Sequence, residues 1–152
     1  RSDLLALLDR VDLITLNDGE ARQLTEETNL VKAARWIMKR GPRHVVIKKG
    51  EHGAFMFTER SVFFAPAYPL ENVFDPTGAG DSFAGGFMGY LARTGRIDDD
   101  TMRRAVVYGS AMGSFAVERF SIERLLEIGT PEIRERLTAF RRLVAFEEDL
   151  PD

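Results

Sequence analysis

Residues 75–90, Asp75-Pro-Thr-Gly-Ala-Gly-Asp81-Ser-Phe-Ala-Gly-Gly-Phe-Met-Gly-Tyr90, join a glycine turn, two carboxylates and a helix start in one short stretch. Pro76 and Gly78 bring the chain to a turn, and Gly80 leaves backbone N–H groups facing outward where Asp81 and Ser82 open an apolar-periodic run. Such N–H groups have no intrahelical partner, and the helix dipole adds partial positive charge beside them. The pattern predicts an anion site at Ala79, Gly80 and Asp81. Phe83, Phe87, Tyr90 and Leu91 then recur at helical spacing, while Gly85, Gly86 and Gly89 remove bulk so that a neighbouring element can approach. Each glycine costs a helix about 1 kcal/mol relative to Ala, so close packing has to compensate.

Gly-x-Gly alone reads equally well as a glycine cap before a helix. The third glycine of the dinucleotide fingerprint is missing, because Phe83 holds its place, and no Gly-x-x-x-x-Gly-Lys-Ser/Thr occurs in the chain. Composition narrows the alternatives. At 152 residues, 44% hydrophobic and 30% charged, the prior is one globular domain. A net charge of −3 with no basic block argues against nucleic acid and acidic membranes as partners. Without cysteine there is no disulfide and no thiolate metal site, and two histidines, His44 and His52, are too few for a histidine zinc site. The longest apolar run, at residues 83–92, is far shorter than a membrane span, and the opening residues carry no secretory pattern. The expected location is the cytoplasm.

The full run from Asp75 to Phe87 resembles the C-terminal signature of the ribokinase-like (PfkB) carbohydrate kinases, which transfer a phosphoryl group from ATP to a sugar or nucleoside hydroxyl. The resemblance implies an α/β protein, the C-terminal part of a three-layer α/β/α fold with a mostly parallel sheet and without the lid. It implies that Gly78, Ala79, Gly80 and Asp81 form an anion hole with Asp81 as catalytic base. Phosphoryl transfer has a loose transition state, so a carboxylate that orients the hydroxyl and takes its proton late is sufficient. Asp75 and Thr77 match family positions that hold a monovalent cation such as K+; Asp75 reads equally as a turn residue capping its neighbours. Family members are about twice as long as this chain, which begins with Arg1 in what reads as an element already under way. Residues 1–152 are therefore expected to be the nucleotide and catalytic portion, with the sugar-binding half lying upstream. Such a portion alone is expected to be inactive towards sugars.

Upstream of the signature, residues 11–16 form a short apolar run ending in the polar Asn17-Asp-Gly-Glu20. Asn17 suits a helix cap. Asn17-x-x-Glu20 also matches the family's Asn-x-x-Glu motif, which orders Mg2+ and its waters near the phosphates; hard Mg2+ keeps several waters, so Glu20 can act through one. Leu30, Ala33, Ala34, Ile37 and Met38 predict a helix between Asn29 and Gly41-Pro42, and residues 44–48 predict a second strand, giving a parallel crossover. An apolar strand at 11–16 belongs between two neighbours, and in the family one neighbour comes from upstream, so an uncovered edge prone to self-association is expected. Residues 54–58 and 61–65 predict a hairpin across Glu59-Arg60. Gly50 and Gly53 turn the chain, and by resemblance belong to the loop near the nucleotide phosphates, where a Thr often stands at the place of Lys48 or Lys49; this departure leaves the role of both lysines open.

Asp98-Asp-Asp-Thr101 opens a helix running towards Val117, with Ala105, Tyr108, Gly109, Met112 and Phe115 as its core stripe. Ser110 and Gly113 align by resemblance with the helix lining the adenine pocket, although Val117-Glu-Arg-Phe-Ser121 departs from the usual Thr-Arg-x-Gly. Thr130-Pro131 starts a last helix expected to cover one face of the sheet, and residues 147–152 read as a frayed tail. The favoured function is MgATP-dependent phosphorylation of a sugar, sugar phosphate or nucleoside, with ATP and Mg2+ as cofactors and homo-oligomer formation left open. The alternatives are a pyridoxal or hydroxymethylpyrimidine kinase of the same superfamily and a non-catalytic nucleotide-binding module.

Overall fold

The computed structural model describes residues 2–147; most of the expected tail lies outside them. Helix α1 (Ser2–Leu8) leads to strand β1 (Leu13–Asn17), which turns directly into α2 (Asp18–Thr25) and then α3 (Leu30–Met38). Strand β2 (His44–Lys48) follows, then a single 3-10 turn (Gly50–His52) and the hairpin β3 (Ala54–Phe57) and β4 (Val62–Ala65). A connecting segment without regular structure leads to α4 (Ala79–Thr94), α5 (Asp99–Ala116), the short α6 (Glu123–Glu127) and α7 (Thr130–Val144).

The sheet order is β1-β2-β3-β4. β1 and β2 are parallel, with Leu13 opposite His44 and Asn17 opposite Lys48. β2–β3 and β3–β4 are antiparallel. Over the described strands the sheet is therefore mixed rather than mostly parallel, because the hairpin supplies half of its strands. β1 is the outer strand of this part of the sheet. Its two faces are not equally apolar, since Thr15 and Asn17 are exposed while Leu16 is buried.

Alternation along β2 divides the core into two layers, because successive side chains point to opposite faces. Val45 and Ile47 pack with Leu8, Leu16, Ala21, Leu24, Ala34 and Ile37, contributed by α1 to α3 and β1. Val46 packs with Met56, Ala65, Phe83, Phe87, Met102 and Val106, contributed by the hairpin, α4 and α5. Helices thus lie on both faces of the sheet, as a three-layer α/β/α arrangement requires.

Two expectations are corrected. α7 packs against α5, where Phe140 is buried beside Tyr68, and it does not cover the sheet. The face is already occupied by α4 and α5, so Leu143 and Val144 remain exposed. The glycines of α4 also differ from one another. Gly86 carries the close approach, since a methyl built there would meet Met112 and the Tyr108 carbonyl, whereas Gly85 and Gly89 have open space beside them.

Candidate active site

The C-terminal ends of β1 and β2 form one corner of the molecule. Asn17 ends β1 and Lys48 ends β2, directly opposite each other in register. Ligands of open α/β sheets bind outside such carboxyl ends. Three elements reach this corner.

The first is the start of α2. Asn17 is its N-cap: the Asn17 Oδ1 accepts from the Glu20 backbone N–H at 2.7 Å, and Glu20 Oε2 accepts from the Asn17 backbone N–H at 2.7 Å. This reciprocal pair satisfies two orphan donors of the helix end. Glu20 is exposed and keeps its second carboxylate oxygen out of the box. The sequence motif is thus a capping box with one carboxylate oxygen to spare.

The second is the start of α4, two residues earlier than the sequence pattern placed it. Gly78 is the N-cap with φ +79°, a left-handed conformation that favours glycine, and no side chain caps this helix. The Ala79 N–H donates to the Pro76 carbonyl at 3.2 Å and the Ser82 N–H to the Gly78 carbonyl at 2.9 Å. The N–H groups of Gly80 and Asp81 are left without a partner among the described residues. Asp81 stands in this first turn with an exposed side chain.

α5 supports the turn from behind, running antiparallel to α4. A methyl built on Gly109 would lie 2.8 Å from the Phe83 carbonyl oxygen, and one built on Gly113 would lie 3.3 Å from that of Ala79. Gly113, expected at a base-binding helix, has its bare side against the first turn of α4, and Ser110 is half-buried near it on α5.

The third element is the end of β2 with the loop after it. A methyl built on Gly80 would lie 3.0 Å from Lys48 Nζ, so the strand end and the helix start touch through that lysine. Gly50 (φ +54°) has open space beside it; Gly53 (φ +86°) is crowded by the Ala65 carbonyl, 2.3 Å from a built methyl, and is required by the hairpin. Of the two glycines, Gly50 is free to face a ligand.

Asp75 lies just before the turn, its Oδ1 accepting from the Thr77 backbone N–H at 2.9 Å. That bond, then the Thr77 side chain and the Ser121 backbone N–H, holds the Asp75 carboxyl below its ordinary range. The loop is tied down again where the Phe74 N–H donates to the Val117 carbonyl. Among the described residues no group of three His, Asp or Glu side chains could hold a metal, and no helix is long and apolar enough to cross a membrane. Lys48 was seen in the sequence without a settled role; the signal that places it is its two-residue spacing from Val46, which puts both on the α4 side of the sheet.

A family model described as pfkB family carbohydrate kinase matches residues 1–127. A bifunctional ribokinase/ribose-5-phosphate isomerase A of Fructilactobacillus sanfranciscensis is 34% identical over 117 residues, 74% of this chain and 21% of that protein. A cytidine kinase of Thermococcus kodakarensis is 38% identical over 96 residues, 61% of this chain and 34% of that protein. An E. coli protein described as a ribokinase II, solved with ATP and Mg2+, superimposes with a TM-score of 0.76 at 27% identity, over 91% of this chain and 43% of its own. The chain spans 21% to 43% of the length of these three proteins.

Proposed function

The chain belongs to the pfkB family of carbohydrate kinases, and from that premise we propose that it carries the phosphoryl-transfer machinery of a kinase acting from MgATP on a hydroxyl of a sugar, sugar phosphate or nucleoside. The observation that carries the reading is the open N-terminus of α4: two unpartnered amides, at Gly80 and Asp81, with a carboxylate in the same turn. Amides fixed in this way stabilise negative charge on phosphoryl oxygens without reorganising. Asp81 orients the acceptor hydroxyl. As the acceptor oxygen bonds to the terminal phosphorus, the bond from that phosphorus to the bridging oxygen of ATP breaks and ADP leaves. The hydroxyl proton passes to the Asp81 carboxylate.

Magnesium fits this corner as an ion carried by the phosphates. Glu20 offers one carboxylate oxygen outside its capping box, which suits a water-mediated contact and not a protein cage. When bound, the ion supplies charge neutralisation on the phosphates. Gly50 and Ser110 are assigned to the nucleotide side. Asp75 and Thr77 are assigned to a monovalent cation beside the turn, where a fixed carboxylate suits a positive ion.

Asp81→Asn in the full protein tests this assignment. Turnover should fall by orders of magnitude while nucleotide binding largely survives, since the amides do not depend on that charge. Turnover near the wild-type level would remove Asp81 as the base, and absence of turnover in the wild type with a broad panel of alcohols would favour a non-catalytic nucleotide-binding module.

A further inference from the structure

Lys48 presents a cation that the fold leaves uncompensated. It occupies the last position of β2, half-buried, on the same face as Val46 and hence under α4. A methyl on Gly80 would lie 3.0 Å from its Nζ, which places the ammonium at the turn whose Gly80 and Asp81 amides are unpartnered. Among the described residues no hydrogen bond or ion pair engages that ammonium. Lys49 carries the same charge one residue later and goes elsewhere. Its Nζ lies 5.6 Å from the centre of the Phe55 ring, and Phe55 packs on the α1 to α3 side of the sheet.

The ammonium, the Gly80 and Asp81 N–H groups and the positive end of the helix dipole gather hydrogen-bond donors and positive charge at one place, which favours an anion there. We propose that Lys48 is a phosphate-binding residue of this chain, its ammonium donating to an oxygen of the same phosphoryl group that the Gly80 and Asp81 amides hold. This rests on the phosphotransferase reading above and adds to it a residue from the Lys48-Lys49 pair, at one of whose positions the resembling family often carries a threonine. A lysine there changes the chemistry. A hydroxyl gives one neutral donor, whereas the ammonium is a compact charge with three rotatable donors, able to follow the phosphoryl group as it passes from ATP to the acceptor.

The test is calorimetric titration of the full protein with MgATP and with MgADP, for the wild type and the variants Lys48→Met, Lys48→Arg and Lys49→Met, with melting temperatures measured alongside. Lys48→Met should weaken MgATP on the order of tenfold to a hundredfold, the range for a hydrogen bond to a charged group. MgADP, which lacks the transferred group, should change by less than about threefold, with Lys48→Arg recovering most of the loss and Lys49→Met without effect. Equal MgATP affinity in the wild type and Lys48→Met overturns the Lys48 assignment and leaves the kinase reading intact. Equal weakening of both nucleotides with a lowered melting temperature overturns it in favour of a structural role. A wild type that binds neither nucleotide overturns the phosphotransferase reading and this proposal with it.

Discussion

The N-termini of α2 and α4 meet the same corner of the molecule and solve the same problem in opposite ways. Every helix start leaves backbone donors without partners. At α2 the chain satisfies them itself, through the reciprocal Asn17 and Glu20 bonds, within four consecutive residues. At α4 the cap is glycine, no side chain turns back, and two amides have no partner among the described residues. The first end is held locally. The second is held from behind by α5, through the contacts that Gly109 and Gly113 permit with Phe83 and Ala79. A helix end that does not cap itself has to take its geometry from tertiary packing.

The sharpest way to break the contrast is to push α5 away from α4. Gly109→Val puts side-chain atoms against the Phe83 carbonyl oxygen, where even a methyl would sit at 2.8 Å. Urea unfolding should register a loss of roughly 2–3 kcal/mol, and nucleotide affinity should fall although no residue of the turn has changed. Gly85→Ala provides the control on α4: with open space beside it, it should stabilise by about 0.5–1 kcal/mol. A neutral Gly109→Val would show that the turn does not depend on α5.

The locally held end should respond more weakly and more separably. Asn17→Ala removes the cap and should cost about 1 kcal/mol in unfolding experiments. Glu20→Gln keeps an acceptor oxygen for the Asn17 N–H but removes the negative charge from the helix start, so stability should fall by about 0.3–1 kcal/mol, while the magnesium concentration needed for half-maximal turnover should rise. An unchanged magnesium dependence would confine Glu20 to the capping box.

The smallest effect belongs to Asp75, which fixes the loop before the open end. Its carboxyl is held below the ordinary value of 3.8 by the Thr77 amide first, then the Thr77 hydroxyl and the Ser121 backbone. A folded-state value below the unfolded one means that the charged form stabilises the fold. That contribution is fully present above the ordinary range and is lost as pH falls from there through the lower folded value. The stability difference between wild type and Asp75→Asn should therefore be constant from neutral pH down to about 5 and shrink below 3.8. A difference that grows in acid would contradict the assigned direction.

Much of this arrangement was legible in the sequence because it is local. The strand at residues 44–48, the hairpin, the Asn29 cap, the helix opening at residues 98–101 and the start of the last helix at Thr130 all follow from turn chemistry and periodicity that neighbouring residues carry themselves. Asn17 and Glu20 belong to the same class, since their pairing spans three positions. The turn at residues 75–81 was readable as the approach to a helix start for the same reason, although the helix begins two residues earlier than Asp81. The Gly78 left-handed cap lets Ala79 and Gly80 enter the first turn.

What tertiary structure alone decided concerns partners far apart in sequence. Periodicity marks α7 as amphipathic without saying which surface it meets; α4 and α5 had already taken the sheet, so it settled on α5. Gly85, Gly86 and Gly89 look equivalent in sequence, yet of these Gly86 alone faces the neighbouring helix, because its face lies against Tyr108 and Met112. Lys48 and Lys49 are adjacent and alike as letters. The pleat of β2 and the packing of α4 on one of its faces bring the first to the open helix end, while the second reaches Phe55 on the other side. Sequence determined which segments fold and what chemistry they carry; the sheet, by fixing which face each side chain points to, decided which of those chemistries meet.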